Sequence, residues 1–188
     1  MKLIQAYLVD FDGTLADTSA SNYLAYANAL KEIGVSLSRE QFDKLAFGRN
    51  WREFLPPILK ENGNSANPAA VAARKVELYR ETVACVSFNE ALISLLENRN
   101  SALKTALVTS ASAENVRSVL SGRRKLGGLF DVIVTGDDVT RHKPDPQGYA
   151  IAAKLLGVSA ENCIVFEDSD IGIMAGQAFG AHVLRVSF

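Results

Sequence analysis

Leu3-Ile4-Gln5-Ala6-Tyr7-Leu8-Val9, followed at once by Asp10-Phe11-Asp12-Gly13-Thr14-Leu15, is the stretch that decides the fold. The apolar run is too short for a typical helix and reads as a buried strand, with Gly13 marking where it has ended. Two carboxylates therefore stand at the strand's carboxyl end. Strand side chains alternate between faces, so Asp10 and Asp12 can look into one crevice while Phe11 turns back to apolar packing. Such a pair suits a nucleophile and a proton shuttle, although Asp followed by Gly is also ordinary turn chemistry.

Outward from this stretch, the chain reads first as helix and then as alternating helix and strand. Tyr23, Leu24, Ala27, Leu30 and Ile33 recur at helical spacing, and Gly34 ends the segment. Ser38 with Gln41 forms a capping box, and Asn67 before Pro68 is a second start signal. Pro56 and Pro57 should break or kink the helix around Phe54 to Asn62. About four short helices and no strand are expected between Thr18 and Thr82. From Asn89 onward, helices at Asn89–Glu97, Ala113–Leu120, Pro146–Leu156 and Gly172–Phe179 alternate with strands at Lys104–Thr109, Val132–Thr135, Cys163–Phe166 and His182–Val186. Ser121 to Gly128, with Arg123, Arg124 and Lys125, reads as an exposed, solvated loop. The expected class is α/β: a doubly wound parallel sheet over 1–16 and 86–188, with a small all-helical cap domain over 17–85.

Bulk properties narrow the function. The 188 residues suit one domain with a modest insertion, and 48% hydrophobic against 22% charged residues is a globular composition. Twenty basic and 21 acidic side chains leave a net charge of -1, which suggests neither a nucleic-acid nor a membrane partner. Met1 to Val9 is too short for a signal peptide's apolar core, so a cytoplasmic location is expected. Cys85 and Cys163 lack metal-type spacing and read as reduced, small apolar residues.

Ligands of an open α/β sheet bind beyond the carboxyl ends of its strands. Asp10 and Asp12 follow the first core strand, Thr109 and Ser110 end the second, Lys143 follows the third, and Glu167 and Asp168 end the fourth. Four carboxylates in one crevice require a cation, and their oxygen donors suit Mg2+. Asp10 and Asp168 are the expected direct ligands, with the backbone carbonyl of Asp12 and with Glu167 as a ligand or a neighbour of one. His142 and His182 are the only histidines, so no zinc-type cluster competes. Thr109 can donate its hydroxyl, and Ser110 its amide, to a phosphate oxygen. Lys143, within Lys143-Pro144-Asp145-Pro146, is held by restricted backbone and can offset negative charge.

Asp10-Phe11-Asp12-Gly13-Thr14-Leu15, the apolar run ending at Thr109, Lys143-Pro144-Asp145-Pro146, and Phe166-Glu167-Asp168-Ser169 with Gly172-Ile173 resemble the four motifs of the haloacid dehalogenase superfamily, in order and spacing. A helical insert after the first motif is similar to the branch of beta-phosphoglucomutases, phosphoglycolate phosphatases and small sugar phosphatases. The short length and the Gly48 to Arg52 stretch resemble its fructose-1-phosphatase-type members. The resemblance implies that Asp10 attacks phosphorus to give an aspartyl-phosphate, while Mg2+, Thr109 and Lys143 stabilise charge. Asp12 would then protonate the leaving alcohol and later deprotonate water. The second aspartate favours phosphate-ester hydrolysis over carbon–halogen cleavage.

Substrate choice is expected from cap residues: Asn22, Arg49, Asn50, Trp51, Arg52, Arg74 and Lys75. Arg49 stands where relatives hold a substrate's far group. Trp51 and Arg52 read as packing and surface residues, and Arg74 with Lys75 as a solvated helix face. Asn22 occupies a position where the branch's mutases, and several of its sugar phosphatases, resemble one another in carrying histidine; its absence disfavours mutase chemistry and leaves the phosphatase subgroup open. A magnesium-dependent phosphatase of a small phosphorylated metabolite, such as a sugar phosphate, is the leading expectation. A phosphoglucomutase-like phosphotransferase comes second and a non-enzymatic phospho-switch or binding module third. A monomer is expected, with a dimer as the alternative.

Overall fold

The computed structural model describes residues 3–46, 49–82, 86–121 and 123–188, with the side chains of Arg124 and Lys125 set aside. The expectations placed on Gly48 and Cys85 lie outside the described residues. The chain divides into two compact units, Met1–Asp17 with Ser87–Phe188, and Thr18–Val86.

The first unit is built on five parallel strands: β1 (Ala6–Val9), β4 (Lys104–Val108), β5 (Val132–Val134), β6 (Cys163–Glu167) and β7 (His182–Arg185), in the order β5-β4-β1-β6-β7. The chain builds outward from β1 to β4 and β5 on one side and then returns to place β6 and β7 on the other. Strand order therefore reverses at β1. Val9 pairs with Leu107 on one side and Phe166 on the other, which sets the next residues, Asp10, Val108 and Glu167, level at the carboxyl rim.

Both faces of the sheet are buried, as a near-continuous apolar strand requires. Leu8, Val108 and Val165 pack on one face with Tyr149, Ala152, Ala153 and Leu156 of helix α8 (Gln147–Leu156) and Ala175 of helix α9 (Asp170–Phe179). Val9, Leu107 and Phe166, one residue out of phase, are buried as well. Cys163 lies in the first of these clusters, and burial pushes its thiol up to about 11, so it is the inert apolar residue expected. The remaining helices of this unit are α5 (Glu90–Glu97), α6 (Ala113–Ser121) and α7 (Arg124–Gly127).

Three local features differ from the sequence-based expectation. The first strand starts only at Ala6, and Leu3 is 79% exposed, because the backbone pairing begins at Gln5, whose amide donates to Asn162 and whose carbonyl accepts from the Lys104 amide. A two-residue antiparallel pair, β2 (Ala16–Asp17) with β3 (Ser87–Phe88), joins the points where the chain leaves and re-enters the unit. Two-residue strands carry no periodicity and are invisible to pattern. Ser121 to Gly128 is not simply a loop, since α6 runs through Ser121 and α7 forms a helical turn that buries Leu126.

Among its described residues the second unit is all helix: α1 (Ser19–Glu32), α2 (Arg39–Leu45), α3 (Trp51–Glu61) and α4 (Pro68–Thr82). Its core gathers Leu30, Phe42, Phe54, Leu55, Ile58, Leu59 and Val71. Ser38 and Gln41 make the reciprocal capping box, and Asn67 Oδ1 accepts from the Ala69 amide at the start of α4. Pro56 and Pro57, expected to break or kink α3, sit inside one unbroken helical run. Both prolines are exposed, as are Arg52 and Glu53, whose carbonyls lose their amide partners, so water can serve those carbonyls. Burial of Phe54, Leu55, Ile58 and Leu59 on the other side holds the helix together. No helix among the described residues is long and apolar enough to cross a membrane.

Candidate active site

Asp10 follows β1 directly and is 6% exposed. The strand stops at Val9, and Phe11 already belongs to a turn in which Leu15 and Ala16 donate to the Phe11 carbonyl. Phe11 is buried as expected, but the turn, not strand alternation, aims Asp12. Thr109, one residue beyond β4, donates to Asp12 Oδ2 at 3.3 Å and accepts from the Ala111 amide at 3.0 Å. Ser110 follows on a tight passage where its carbonyl lies 2.3 Å from the point a Cβ on Gly136 would occupy.

Lys143 links the separate strands. It sits on the turn before α8, which is held by Gln147 Oε1 accepting from the Thr140 and Arg141 amides at 2.9 and 2.7 Å. Its ammonium reaches Asp10 Oδ1 at 2.5 Å, Glu167 Oε1 at 2.6 Å and the Val108 carbonyl at 3.2 Å. All three of its N–H donors are thereby engaged.

Glu167, the last residue of β6, has no exposed surface. Its Oε1 also accepts from the Tyr149 hydroxyl at 3.0 Å, and its Oε2 accepts from the Ser169 amide at 3.1 Å and the Ser169 hydroxyl at 3.0 Å. Ser169 in turn caps α9 by accepting from the Gly172 amide. That first turn lies so close that a Cβ on Gly172 would stand 1.7 Å from Glu167 Oε1. Gly172→Ala is therefore expected to lower stability by about 1–3 kcal/mol, the range for overpacking a close-packed interior. A lower urea midpoint at unchanged slope would register it, and an unchanged midpoint would show that Glu167 yields without cost.

Asp168 accepts from the Thr14 hydroxyl at 3.1 Å, and its backbone carbonyl accepts from Arg185 at 2.7 Å. Gly13 has φ +89, and a Cβ there would meet Asp168 Oδ2 at 2.2 Å, so both backbone shape and space call for glycine. Oxygens of Asp10, Glu167 and Asp168 lie within 4.8 Å of one another.

A family model for haloacid dehalogenase-like hydrolases matches residues 7–186. The chain belongs to this family. Hexitol phosphatase A of Escherichia coli is 31% identical over 186 residues, 97% of this chain and 83% of that protein. Fructose-1-phosphate phosphatase YqaB, also of Escherichia coli, is 27% identical over 179 residues, 95% of this chain and 94% of that one. The crystal structure of CbbY from Rhodobacter sphaeroides in complex with phosphate superposes with a TM-score of 0.90 at 26% identity, over 99% of this chain and 87% of the other.

In this haloacid dehalogenase-like hydrolase the electrostatics of the rim are short of positive charge. Burial, then the charge of Glu167, pushes the Asp10 carboxyl well up, against the opposing pull of Lys143. Burial and Glu167 likewise raise Asp168. For Glu167 itself burial acts upward, but Lys143 and Ser169 outweigh it and hold the carboxyl down. Burial works against the Lys143 ammonium, yet the carboxylate charges of Asp10 and Glu167 keep it protonated far above neutrality. Burial also raises the Tyr149 phenol, which stays a hydrogen-bond donor. Three carboxylates and one ammonium leave two negative charges, the complement of one divalent cation. The Asp12 carboxylate is not in this cluster, and only its backbone carbonyl was expected to serve a metal.

The residues expected to choose substrate belong to the helical unit. Arg49 is exposed on the bend before α3, and Asn50 is buried and caps that helix through the Arg52 amide. Arg52 lies 4.4 Å over the Trp51 ring, and Trp51 packs against the helical core. Arg74 is exposed and paired with Glu32 and Glu77. Lys75 corrects the expectation of a solvated face: it is 1% exposed, donates to Asn22 Oδ1 at 2.6 Å, and stands 4.2 and 4.9 Å from the Tyr79 and Tyr26 ring centres. The α1–α4 contact buries it, because Asn22 and the tyrosines supply a polar acceptor and two electron-rich faces there. Tyr149 and Arg185 were missed by sequence reasoning altogether, and Thr14 and Ser169 were quoted within motifs without a role of their own. Tyr149 looks like one more apolar residue on the inner side of α8, and nothing local names the partner of its hydroxyl.

Proposed function

We propose that the chain is a magnesium-dependent phosphatase acting on a small sugar phosphate through an aspartyl-phosphate on Asp10. The observation that carries this reading is the Lys143 ammonium bridging Asp10 and Glu167 at the sheet's switch point. The names of the similar proteins, a hexitol phosphatase and a fructose-1-phosphate phosphatase, support the substrate class.

Asp10 attacks phosphorus, forming a carboxylate-oxygen-to-phosphorus bond as the bond to the sugar oxygen breaks. Asp12 gives its proton to that leaving oxygen, then takes one from the water that opens the acyl phosphate, which returns both aspartates to their starting state. Thr109 and the Ser110 amide hold phosphoryl oxygens, while Lys143 keeps Asp10 oriented and offsets its charge. Asp10, Asp168 and the Asp12 carbonyl would hold Mg2+, with Glu167 beside them serving mainly Lys143. Bound there, the ion offsets the excess negative charge and polarises the phosphoryl group. Arg49 and Asn22, the latter paired with Lys75, are the candidate substrate contacts of the helical cap.

The test is phosphate release from p-nitrophenyl phosphate and from a panel of hexose and hexitol phosphates, with magnesium and with EDTA. Magnesium-dependent release, strongest on one of the sugar phosphates, is expected. Absence of hydrolysis on every phosphomonoester would overturn the reading, and bisphosphate-dependent isomer formation would point to a mutase instead.

A further inference from the structure

We propose that Tyr149 is a positioning residue for the reaction, acting through Glu167 on the ammonium of Lys143 that orients Asp10. The inference rests on the phosphatase reading for its kinetic consequence, but its structural part stands alone.

The ammonium is held on three acceptors of unequal stiffness. Val108 O belongs to the backbone of a central strand and cannot move, whereas Asp10 and Glu167 reach the nitrogen through rotatable side chains. Asp10 is the reacting group, so Glu167 must serve as the second fixed leg. Its carboxylate is pinned at both ends, by Ser169 on Oε2 and by the Tyr149 hydroxyl on Oε1, the same oxygen that receives Lys143. Without the hydroxyl, Oε1 can rotate towards or away from the ammonium about the bond before the carboxylate, a broad torsion with little intrinsic preference.

Tyr149 is itself immobile: it is 1% exposed, lies in the cluster under the sheet, and has the Phe179 ring centre 6.5 Å from its own. Its ring centre is 5.2 Å from Lys143 Nζ, so the ring walls the ammonium while the hydroxyl fixes the carboxylate. Tyr149→Phe keeps the wall and removes only the hydroxyl. Because the hydroxyl donates to Glu167, which is neither the nucleophile nor a phosphoryl-holding group, its loss should spare substrate binding and slow turnover.

The experiment compares the full-length wild type with Tyr149→Phe by steady-state kinetics, thermal melting and side-chain NMR of 15N-lysine-labelled protein. The expected result is a kcat lower by about tenfold, the lower end of what loss of a supporting partner costs at such sites. KM should stay within about twofold and the melting transition should be retained. The Lys143 ammonium protons, protected from exchange in the wild type, should exchange faster in the variant. An unchanged kcat with unchanged ammonium protection in a folded Tyr149→Phe would overturn the proposal, as would a raised KM at constant kcat. If the wild type hydrolyses no phosphomonoester, the functional reading fails while ammonium protection still decides the role of Tyr149. If the variant does not fold, a wild-type Lys143 ammonium that exchanges as freely as surface lysines overturns the proposal by itself.

Discussion

Asp10→Asn should leave a folded protein whose phosphate release is lower by about 10⁴-fold or more, the scale on which loss of an attacking group is felt. An amide has nearly the shape of the carboxylate and still offers an oxygen to Lys143, but it is a poor nucleophile and cannot form the acyl phosphate. The same substitution should hold or raise thermal stability. Burial and the charge of Glu167 already push the Asp10 carboxyl up, so the native fold carries a cost for ionising it that asparagine does not. Activity lost while the melting temperature stays or climbs is the signature of a group kept for chemistry. Substantial hydrolysis by the variant would remove Asp10 from the nucleophile's role.

Lys143→Met should damage both stability and activity. The lysine is 9% exposed at its side chain, and among the described residues it alone bridges the buried carboxylates of Asp10 and Glu167. Removing one partner from a buried ion pair costs about 3–5 kcal/mol, because the remaining charge has no water and no counter-ion. Methionine fills much of the stem's volume, which separates this electrostatic loss from a cavity effect.

The cost should depend on pH with a definite sign. Lys143 is what holds the Glu167 carboxyl below its ordinary value and restrains the rise at Asp10, so without it both carboxyls move upward. Carboxyls raised in the folded state favour folding when protonated, so the variant's deficit should shrink in mildly acidic buffer and grow towards neutrality. Urea midpoints in chelator-containing buffer at the two conditions read this directly. A deficit that widened on acidification would contradict the assigned pairing.

The sheet was legible in the sequence because its causes are local. Apolar runs such as Ala106 to Val108 and Ile164 to Phe166, separated by segments of helical spacing, set strands and helices in alternation. Alternation with these short connections leaves few topologies besides a parallel, doubly wound sheet. Capping at Ser38 and Asn67 was readable for the same reason, since donor and acceptor lie within a few residues. Pro56 and Pro57 misled because intrinsic propensity is a weak prior, and four buried neighbours outweigh it.

Residue order along the chain was enough to show which residues form the elements, that the acidic and hydroxyl groups stand at strand ends, and that Lys143 follows a strand by a loop. Their pairings came from the folded arrangement: Lys143 with Asp10 across 133 residues, Thr14 with Asp168 across 154, and Tyr149 with the far end of Glu167. It also decided that Lys75 is buried beside Asn22 while its neighbour Arg74 stays exposed. Periodicity records which side of an element meets apolar neighbours. The identity of a hydrogen-bond partner depends on strand order and on the path of loops between elements, and neither leaves a mark in the spacing of residues along the chain.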